Sequence, residues 1–404
     1  MNAADTAFIL VSAALVMFMT PGLALFYGGL TRNKNVLGTI MHSFALLGVV
    51  SVLWVLVGYT LAFGPDHGGI IGGLDYLFLA GVGMEGNGPV DNIPHLAFMA
   101  FQMMFAVITP ALISGAYAER IKFGSFVVFS SLWLLLIYCP MAHWVWGGGW
   151  MFSMGALDFA GGAVVHMSSG AAALAAALCL GKRKGYGTEP FIPHNLPMTV
   201  LGAGILWFGW FGFNAGSALA ANGLAANAFV TTHVATAAAM LGWLVVEKLK
   251  TGHATTLGAA SGAVAGMVAI TPAAGFVTPM ASIVIGLGGG ILCYGGVLLK
   301  GKLGYDDALD VVGVHGVGGS WGALATGLFC TTAINEAGAD GLFYGNAAQA
   351  WTQFLSILGT WAFCFIGSYI LFKVVDAMMG LRVGGEEEMR GLDLSQHSEA
   401  GYQI

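Results

Sequence analysis

Two stretches of the chain carry a similar pattern, DFAGGAVVH at residues 158–166 and DALDVVGVH at residues 307–315. In each stretch an aspartate precedes a histidine by eight residues, and a glycine follows that histidine by four residues, at Gly170 and Gly319. One short echo by itself also fits coincidence. As a true repeat, it predicts that the chain consists of two related halves, each of which brings one histidine to an equivalent place.

The composition indicates a protein surrounded by lipid. Hydrophobic residues make up 57% of the 404 positions and charged residues only 8%, whereas a soluble domain carries roughly a quarter of charged residues. The first apolar run, about 8–30, has no positively charged region before it, so we interpret it as a retained helix and not as a secretory signal. We therefore predict a multi-pass protein of the cell membrane, with lipid and not nucleic acid as its surroundings.

Runs of about 20 mostly apolar residues predict an all-α fold with eleven transmembrane helices. The predicted spans are about 6–30, 36–63, 94–118, 123–140, 160–181, 197–218, 227–247, 255–271, 278–299, 309–330 and 347–375. All 14 Lys and Arg residues follow an odd-numbered predicted helix or lie at or beyond the end of the last one. Because basic flanks stay in the cytoplasm, the N-terminus is predicted outside and the C-terminus inside.

The two patterned stretches begin predicted helices 5 and 10, so an odd number of helices separates them and the two halves have opposite orientations. We predict inverted repeats at about 6–181 and 197–330, with an eleventh helix at 347–375, all within a transmembrane domain 1–376. Inverted repeats place the substrate path between the halves, near the middle of the bilayer. Residues 377–404 are predicted to form a cytoplasmic tail.

Two of the ten histidines, His166 and His315, lie inside predicted spans, six or more residues from the start. An ionisable side chain at that depth costs roughly 3 kcal/mol and usually faces a cavity. Because neutral imidazole both donates and accepts, a facing pair suits a small polar molecule or a proton passed between the rings. A metal would need a third ligand nearby, and Asp158 and Asp310 lie nearer the helix ends, so we predict neither a metal nor a cofactor.

The other eight histidines receive a different interpretation. His233, early in predicted helix 7, is expected to be a packing or interface residue. A solvated or interfacial position is expected for those at span ends or in loops: His42, His67, His95, His143, His194, His253 and His397.

Aromatic side chains mark predicted helices 3 and 6. Phe101 and Phe105 are four residues apart and share one helix face. Trp210 and Phe213, three apart amid glycines, present their rings on one face, and Ser217 lies toward the outer end. Aromatic faces attract a partly desolvated cation by ~1–2 kcal/mol, and a hydroxyl adds an acceptor. The combination favours a small ammonium-type cation over a metal ion, which would need more oxygen ligands.

These motifs, with several neighbours, carry a family resemblance. The chain resembles the bacterial ammonium transporters of the Amt/MEP/Rh family over essentially its full length. The segments 158–166 and 209–217 are specific to that family, whereas FYGG alone is a weak signal. The further matching motifs are FYGGL at 26–30, FQMMF at 101–105, GAYAER at 115–120, WGGG at 146–149 and GVHG at 313–316.

The resemblance implies a homotrimer in the bacterial inner membrane, with one pore per subunit and ammonium, or its analogue methylammonium, as substrate. It implies an outer recruitment site at Phe105, Trp146 and Ser217, with Phe101 nearby. The remaining implied roles are closure of the outer mouth by Phe105 and Phe213, twin pore histidines at His166 and His315, pore lining by Trp210 and backbone support by Asp158.

The tail from about residue 380 also resembles the family's regulatory C-terminus, which contacts the neighbouring subunit and accompanies control by a cytoplasmic PII signalling protein. A mobile charged tail is the alternative. For the whole chain we expect a transporter and not an enzyme. An ammonium sensor with little flux is the second interpretation. An intramembrane metalloenzyme is the third, but the sequence lacks the His-Glu-x-x-His motif and the clustered carboxylates that such an enzyme would use.

Overall fold

The computed structural model describes residues 1–402, and its regular structure is almost entirely helical. Within those residues nine helices are long and apolar enough to cross a membrane. The helices of the bundle are α1 (Ala3–Leu30), α2 (36–63), α3 (His95–Tyr117), α4 (123–146), α5 (Gly162–Leu180), α6 (Leu196–Ala215), α7 (Gly223–Thr251), α8 (Thr256–Ile270), α9 (Pro279–Leu303), α10 (312–329) and α11 (Ala347–Met379). Of these, α8 and α10 are the two that are not among the nine. The prediction of an all-α, multi-pass membrane protein is confirmed.

Several helix ends differ from the predicted spans. Helix α4 continues to Trp146, past the predicted end at 140, and stops where Gly148 adopts a positive φ of 87°. Helices α5 and α10 begin at Gly162 and Val312, later than predicted. The delay arises because aspartates just before these helices accept hydrogen bonds from their first backbone N–H groups. A short antiparallel hairpin, β1 (Asp66–His67) and β2 (Ile71–Gly72), lies between α2 and α3.

Small residues allow α1 and α6 to pack closely against each other. A Cβ atom added at Gly202 of α6 would meet the backbone of Phe26, and one at Gly209 would meet the side chain of Met19. Glycines at such contacts let membrane helices approach to van der Waals distance. Helices α5 and α10, which carry the patterned histidines, also pack against each other.

Buried charges join four connections at one end of the bundle, which we call the basic end. Glu119 accepts a 2.8 Å ion pair from Arg32 and a 3.1 Å ion pair from Arg183, and Arg183 also reaches Asp306 at 2.9 Å. Burial by itself raises the pKa of Glu119, but Arg183 and Arg32 more than offset it and hold this pKa below its ordinary value. The buried groups Glu119, Arg183 and Asp306 therefore each have a partner of opposite charge, as burial in low dielectric requires.

The C-terminal tail packs against the basic end of its own chain. Lys122 donates its backbone N–H to Leu381 O, and Val383 donates to Arg120 O, so the start of the tail pairs with the α3–α4 connection. Two short helices follow, α12 (Gly385–Arg390) and α13 (Leu392–His397). The carboxylate of Asp393 accepts hydrogen bonds from the first N–H groups of α2, at Leu37 and Gly38. The tail, which follows α11, is thus hydrogen-bonded to the chain segments at the start of α2 and just before α4.

Candidate functional site

The two patterned histidines meet in the interior. The Nδ1 atoms of His166 and His315 lie 3.2 Å apart, and the rings are stacked at 24° with centroids 5.3 Å apart. Both side chains are almost completely buried. A hydrogen bond between two Nδ1 atoms requires one ring to donate and the other to accept. The Nε2 atom of His166 is buried and has no hydrogen-bond partner among residues 1–402, so it remains available to a small polar molecule.

The glycines of the repeated pattern explain why the rings can meet. A Cβ atom at Gly170 would collide with the backbone of Gly316, next to His315. In the other half, a Cβ at Gly319 would lie 3.0 Å from Gly162 O and 3.1 Å from the His166 Cβ. Each glycine, four residues after one histidine, therefore makes room for the helix that carries the other. The close crossing of α5 and α10 therefore depends on both Gly170 and Gly319.

A column of aromatic rings extends from the histidines toward the end opposite the basic end. The ring of Trp210 stacks on His166 with centroids 5.3 Å apart, and the ring of Phe213 also stacks on His166, with centroids 6.0 Å apart. The Phe213 ring in turn contacts Phe105 at 4.2 Å. Phe105 and Phe213 are fully buried, so the two rings separate the histidines from the space beyond them.

Beyond this ring pair lies a pocket of about 210 Å³ that contains the four residues predicted for recruitment, and we call it the aromatic pocket. Its walls include Phe101, Phe105, Trp146 and Ser217, with no charged side chain among the lining residues. The indole N–H of Trp146 donates to Asp158 O at 2.9 Å. Ser217 donates its hydroxyl proton to Phe213 O at 2.8 Å. Both donors are thus engaged, leaving the ring faces and the Ser217 lone pairs for a cation.

Asp158 lies beside this pocket and holds the start of α5. Its two carboxylate oxygens accept hydrogen bonds from the backbone N–H groups of Gly161, Gly162, Ala163 and Val164, at 2.6 to 3.3 Å. Gly161 has a φ of 116°, a conformation that glycine adopts without strain. All of the acceptor capacity of Asp158 is used by the backbone, which leaves little for a substrate.

Two smaller spaces lie on the other side of the ring pair. A narrow space of about 10 Å³ borders both histidines and is walled by apolar side chains. A second pocket, of about 60 Å³, lies between His315 and the basic end, and we call it the basic-end pocket. The aromatic pocket, the ring pair, the histidines and the basic-end pocket thus follow one another through the bundle.

Sequence reasoning did not identify the residues around these inner spaces. Helix α1 supplies Met19, Leu23 and Phe26, and the basic-end pocket adds Ser261 and Asp310. The spacing of the three α1 residues places them on one helix face, but every face of α1 is apolar, so spacing alone does not single that face out. A serine and an aspartate near span ends are also too common to indicate a site.

The expectation for the histidines outside the pair was wrong at three positions. His42, His95 and His143 are 2%, 1% and 0% exposed and are therefore neither solvated nor interfacial. His42 packs on Phe126 with ring centroids 4.4 Å apart, and His95 is bonded to Tyr59 Oη at 2.6 Å. Their sequence positions near span ends conceal these contacts, because the partners come from other helices.

Comparison with known proteins gives a consistent result over the full length of the chain. The sequence profile of the Ammonium Transporter Family matches residues 7–402. An ammonium transporter of Bacillus subtilis is 57% identical over 404 residues, covering 100% of this chain and 99% of that protein. The ammonium transporter Amt1 of Archaeoglobus fulgidus is 48% identical, with full coverage of both chains.

Several solved structures have a fold similar to that of this chain. The crystal structure of Mep2 from Candida albicans has a TM-score of 0.91 at 37% identity, covering 100% of this chain and 91% of that one. A structure described as a sensor Amt protein has a TM-score of 0.89 at 29% identity, with 98% of each chain covered.

Proposed function

This chain belongs to the ammonium transporter family, and from that premise we propose that it captures NH4+ in the aromatic pocket, removes a proton near Phe105 and Phe213, and conducts ammonia past His166 and His315. Its relatives are named for transport and not for a reaction. The observation that carries the proposal is the buried histidine pair, which lies directly behind the closed ring pair.

The aromatic pocket supports the capture of a cation that loses its water gradually. Ring faces of Phe105 and Trp146, with centroids 5.9 Å apart, offer cation–π attraction of ~1–2 kcal/mol. Ser217 adds a hydroxyl oxygen whose own proton is already donated to Phe213 O. Weak, mostly apolar binding of this kind suits a substrate that must also leave quickly.

The narrow space behind the rings supports conduction of a neutral molecule. An unpaired ion in an apolar surrounding is disfavoured by many kcal/mol, whereas ammonia carries no charge. K+ cannot lose its charge and is excluded on the same ground. The free Nε2 of His166 lies beside this space, so the imidazole pair can hydrogen-bond to ammonia or relay a proton.

The proposal includes the architecture in the membrane. All eleven helices cross the bilayer as two inverted five-helix repeats plus α11, with the N-terminus outside, so that the aromatic pocket faces outward and the basic end faces the cytoplasm. The packing of α1 on α6 and of α5 on α10 relates equivalent helices of the two halves and supports this repeat. The protein works as a homotrimer in the bacterial inner membrane, and its cytoplasmic face receives a PII signalling protein.

The test is uptake of labelled methylammonium by liposomes that contain the purified protein. We expect saturable uptake that K+ does not inhibit. His166→Ala or His315→Ala should change the uptake rate or admit K+, because each removes one half of the pair. His253→Ala serves as the control, since this histidine is exposed in a connection at the end of α7. If both pore variants match the wild type in rate and selectivity, the histidines take no part in conduction.

A second candidate is an ammonium sensor with little flux. Two observations favour it: the likeness to a structure described as a sensor Amt protein, and a tail that bonds to the start of α2. Binding of methylammonium without measurable uptake by the wild-type protein would select the sensor. Saturable uptake would select the transporter.

A further inference from the structure

His143 lies on α4, three residues before Trp146, and is the most completely bonded of the unexpected buried histidines. Its Nδ1 lies 2.9 Å from Ala62 O, at the end of α2, and its Nε2 lies 2.9 Å from Asp66 Oδ1, on β1. The side chain has no exposed surface. One buried ring therefore joins α4 to the end of α2 and to the hairpin that follows.

The chemistry of the two partners determines the protonation of the ring. A backbone carbonyl only accepts hydrogen bonds, and so does an ionised carboxylate. Asp66 is partly exposed and also accepts from Gly69 N–H. The hydrogen bond from His143 holds the pKa of Asp66 below its ordinary value, so this group is an anion at neutral pH. Both ring nitrogens of His143 therefore face acceptor oxygens, an arrangement that a doubly donating ring fits.

The other titratable groups around the ring do not supply an alternative donor or acceptor to it. His67 and Asp75 flank Gly73 in the hairpin segment, whereas the two partners of the His143 ring are Ala62 O and Asp66. On α4 itself, Cys139 donates its thiol to Gly58 O. Asp66 therefore supplies the ionised acceptor that faces the ring, and a hydrogen bond to an ionised group is roughly twice as strong as a neutral one.

The ring also fixes the turn that follows Trp146. Gly147 donates its N–H to His143 O, and Gly149 does the same. A Cβ at Gly147 would lie 2.6 Å from His143 Nδ1, so backbone and ring are in direct contact. On the hairpin side, Trp150 donates its N–H to Gly69 O. The segment that presents Trp146 to the aromatic pocket is thus held by His143 and, through Asp66, by the hairpin.

We propose that the His143–Asp66 ion pair is the positioning device of the recruitment site: the doubly donating ring orients the segment that carries Trp146 and so sets the affinity for the cation. This inference rests on the proposed function. Neither residue touches the substrate. Loss of one of the two donated hydrogen bonds leaves passage through the pore intact but weakens capture.

The first test compares His143→Gln, Asp66→Asn and the control His67→Gln in the liposome assay. The side chain of glutamine donates only from its single amide nitrogen, so it cannot replace both hydrogen bonds, to Ala62 O and to Asp66. His143→Gln should therefore raise the half-saturating methylammonium concentration roughly five- to tenfold at an unchanged maximal rate. Asp66→Asn should act in the same direction, and His67→Gln should match the wild type. A fall in maximal rate with unchanged half-saturation would show a merely structural role and overturn the inference.

The second test needs no variant. Solid-state NMR of the wild-type protein with 15N-labelled histidine and 13C-labelled aspartate identifies His143 by its contact with the Asp66 carboxyl carbon. We expect both ring nitrogens to be protonated at neutral pH, and a neutral ring would overturn the inference. If the wild-type protein shows no uptake while this ring is doubly protonated, the proposed transport fails and the ion pair stands.

Discussion

The two aspartates that precede the paired histidines His166 and His315 are bonded very differently. Asp158 accepts four backbone hydrogen bonds. Asp307 accepts a 2.7 Å hydrogen bond from Val312 N–H at Oδ2, while its Oδ1 is buried without a partner among residues 1–402. Lys300 donates to the backbone oxygen of Asp307 and pairs with Asp310. Burial raises the pKa of Asp307 to about 6, so near neutral pH this cap carries a charge that lacks full compensation.

This difference predicts a pH-dependent stability that belongs to Asp307. Because the folded pKa is raised above the ordinary value near 3.9, the contribution of Asp307 is fully present below pH ~4 and is lost as pH rises through about 6. The loss should be about 3 kcal/mol. Asp307→Asn, which keeps an oxygen for Val312 N–H, should abolish it. Thermal unfolding in detergent from pH 4 to 8 measures the difference between variant and wild type, and parallel curves would contradict the assignment.

At the scale of elements, the proposed pore is lined by residues from widened helical turns. His166 lies in the π-helical turn Gly162–Met167, His315 in Val312–Gly316 and Phe213 in Phe211–Ala215. A π-helical turn bonds to the fifth residue instead of the fourth, and such turns are frequent at functional sites. Each one rotates the following side chains relative to a regular helix, so residues of α5, α6 and α10 converge on the same narrow space.

The crossing of α5 and α10 predicts the effect of adding a single methyl group. Gly170→Ala places a Cβ against the backbone of Gly316, which cannot move aside as a flexible side chain can. We expect a loss of about 1–3 kcal/mol in the free energy of unfolding, together with reduced uptake because the histidines are pushed apart.

Gly48→Ala on α2 is the matched control, because a Cβ there meets nothing within 4 Å. Alanine should be neutral or stabilising at this position, since it favours the helix more than glycine does. Thermal unfolding and methylammonium uptake of both variants make the comparison. Equal stability of Gly170→Ala and Gly48→Ala would argue against the close crossing.

At the scale of the whole molecule, charge separates the two ends of the bundle. The connections that carry Arg32, Arg120 and Arg183 meet at the basic end, where Glu119 and Asp306 neutralise part of their charge. The opposite end presents the aromatic pocket and the β1–β2 hairpin. Cytoplasmic flanks of membrane helices carry the basic residues, so this separation supports the proposed orientation of the whole bundle, with the basic end in the cytoplasm.

The orientation predicts which positions a membrane-impermeant thiol reagent can reach. Glu85→Cys, exposed in the α2–α3 connection, should be labelled in intact cells stripped of their outer wall. Glu386→Cys, exposed on α12, should be labelled only after the membrane is opened. Unsubstituted protein gives the background, because four of its five cysteines are buried. Labelling of Glu386→Cys in intact cells would reverse the topology.

The amino-acid sequence by itself determined the lipid surroundings, the order of helices, the segregation of Lys and Arg, and the identity of His166 and His315 as a matched pair. These are properties of single runs of residues in contact with solvent or lipid, and each run can be interpreted without knowing its neighbours. The family resemblance carried by residues 158–166 and 209–217 is likewise a local property, and it is confirmed.

Only the tertiary structure decided what lies against what. Three features join residues far apart in the chain: the 3.2 Å contact of His166 with His315, the burial of His143 between Ala62 O and Asp66, and the basic-end pocket with Ser261. Nearly every helix face here is apolar, so hydrophobic periodicity does not mark the inward side. Which faces meet depends on glycine contacts, π-helical turns and hydrogen bonds between helices, and these exist only once the whole bundle has packed.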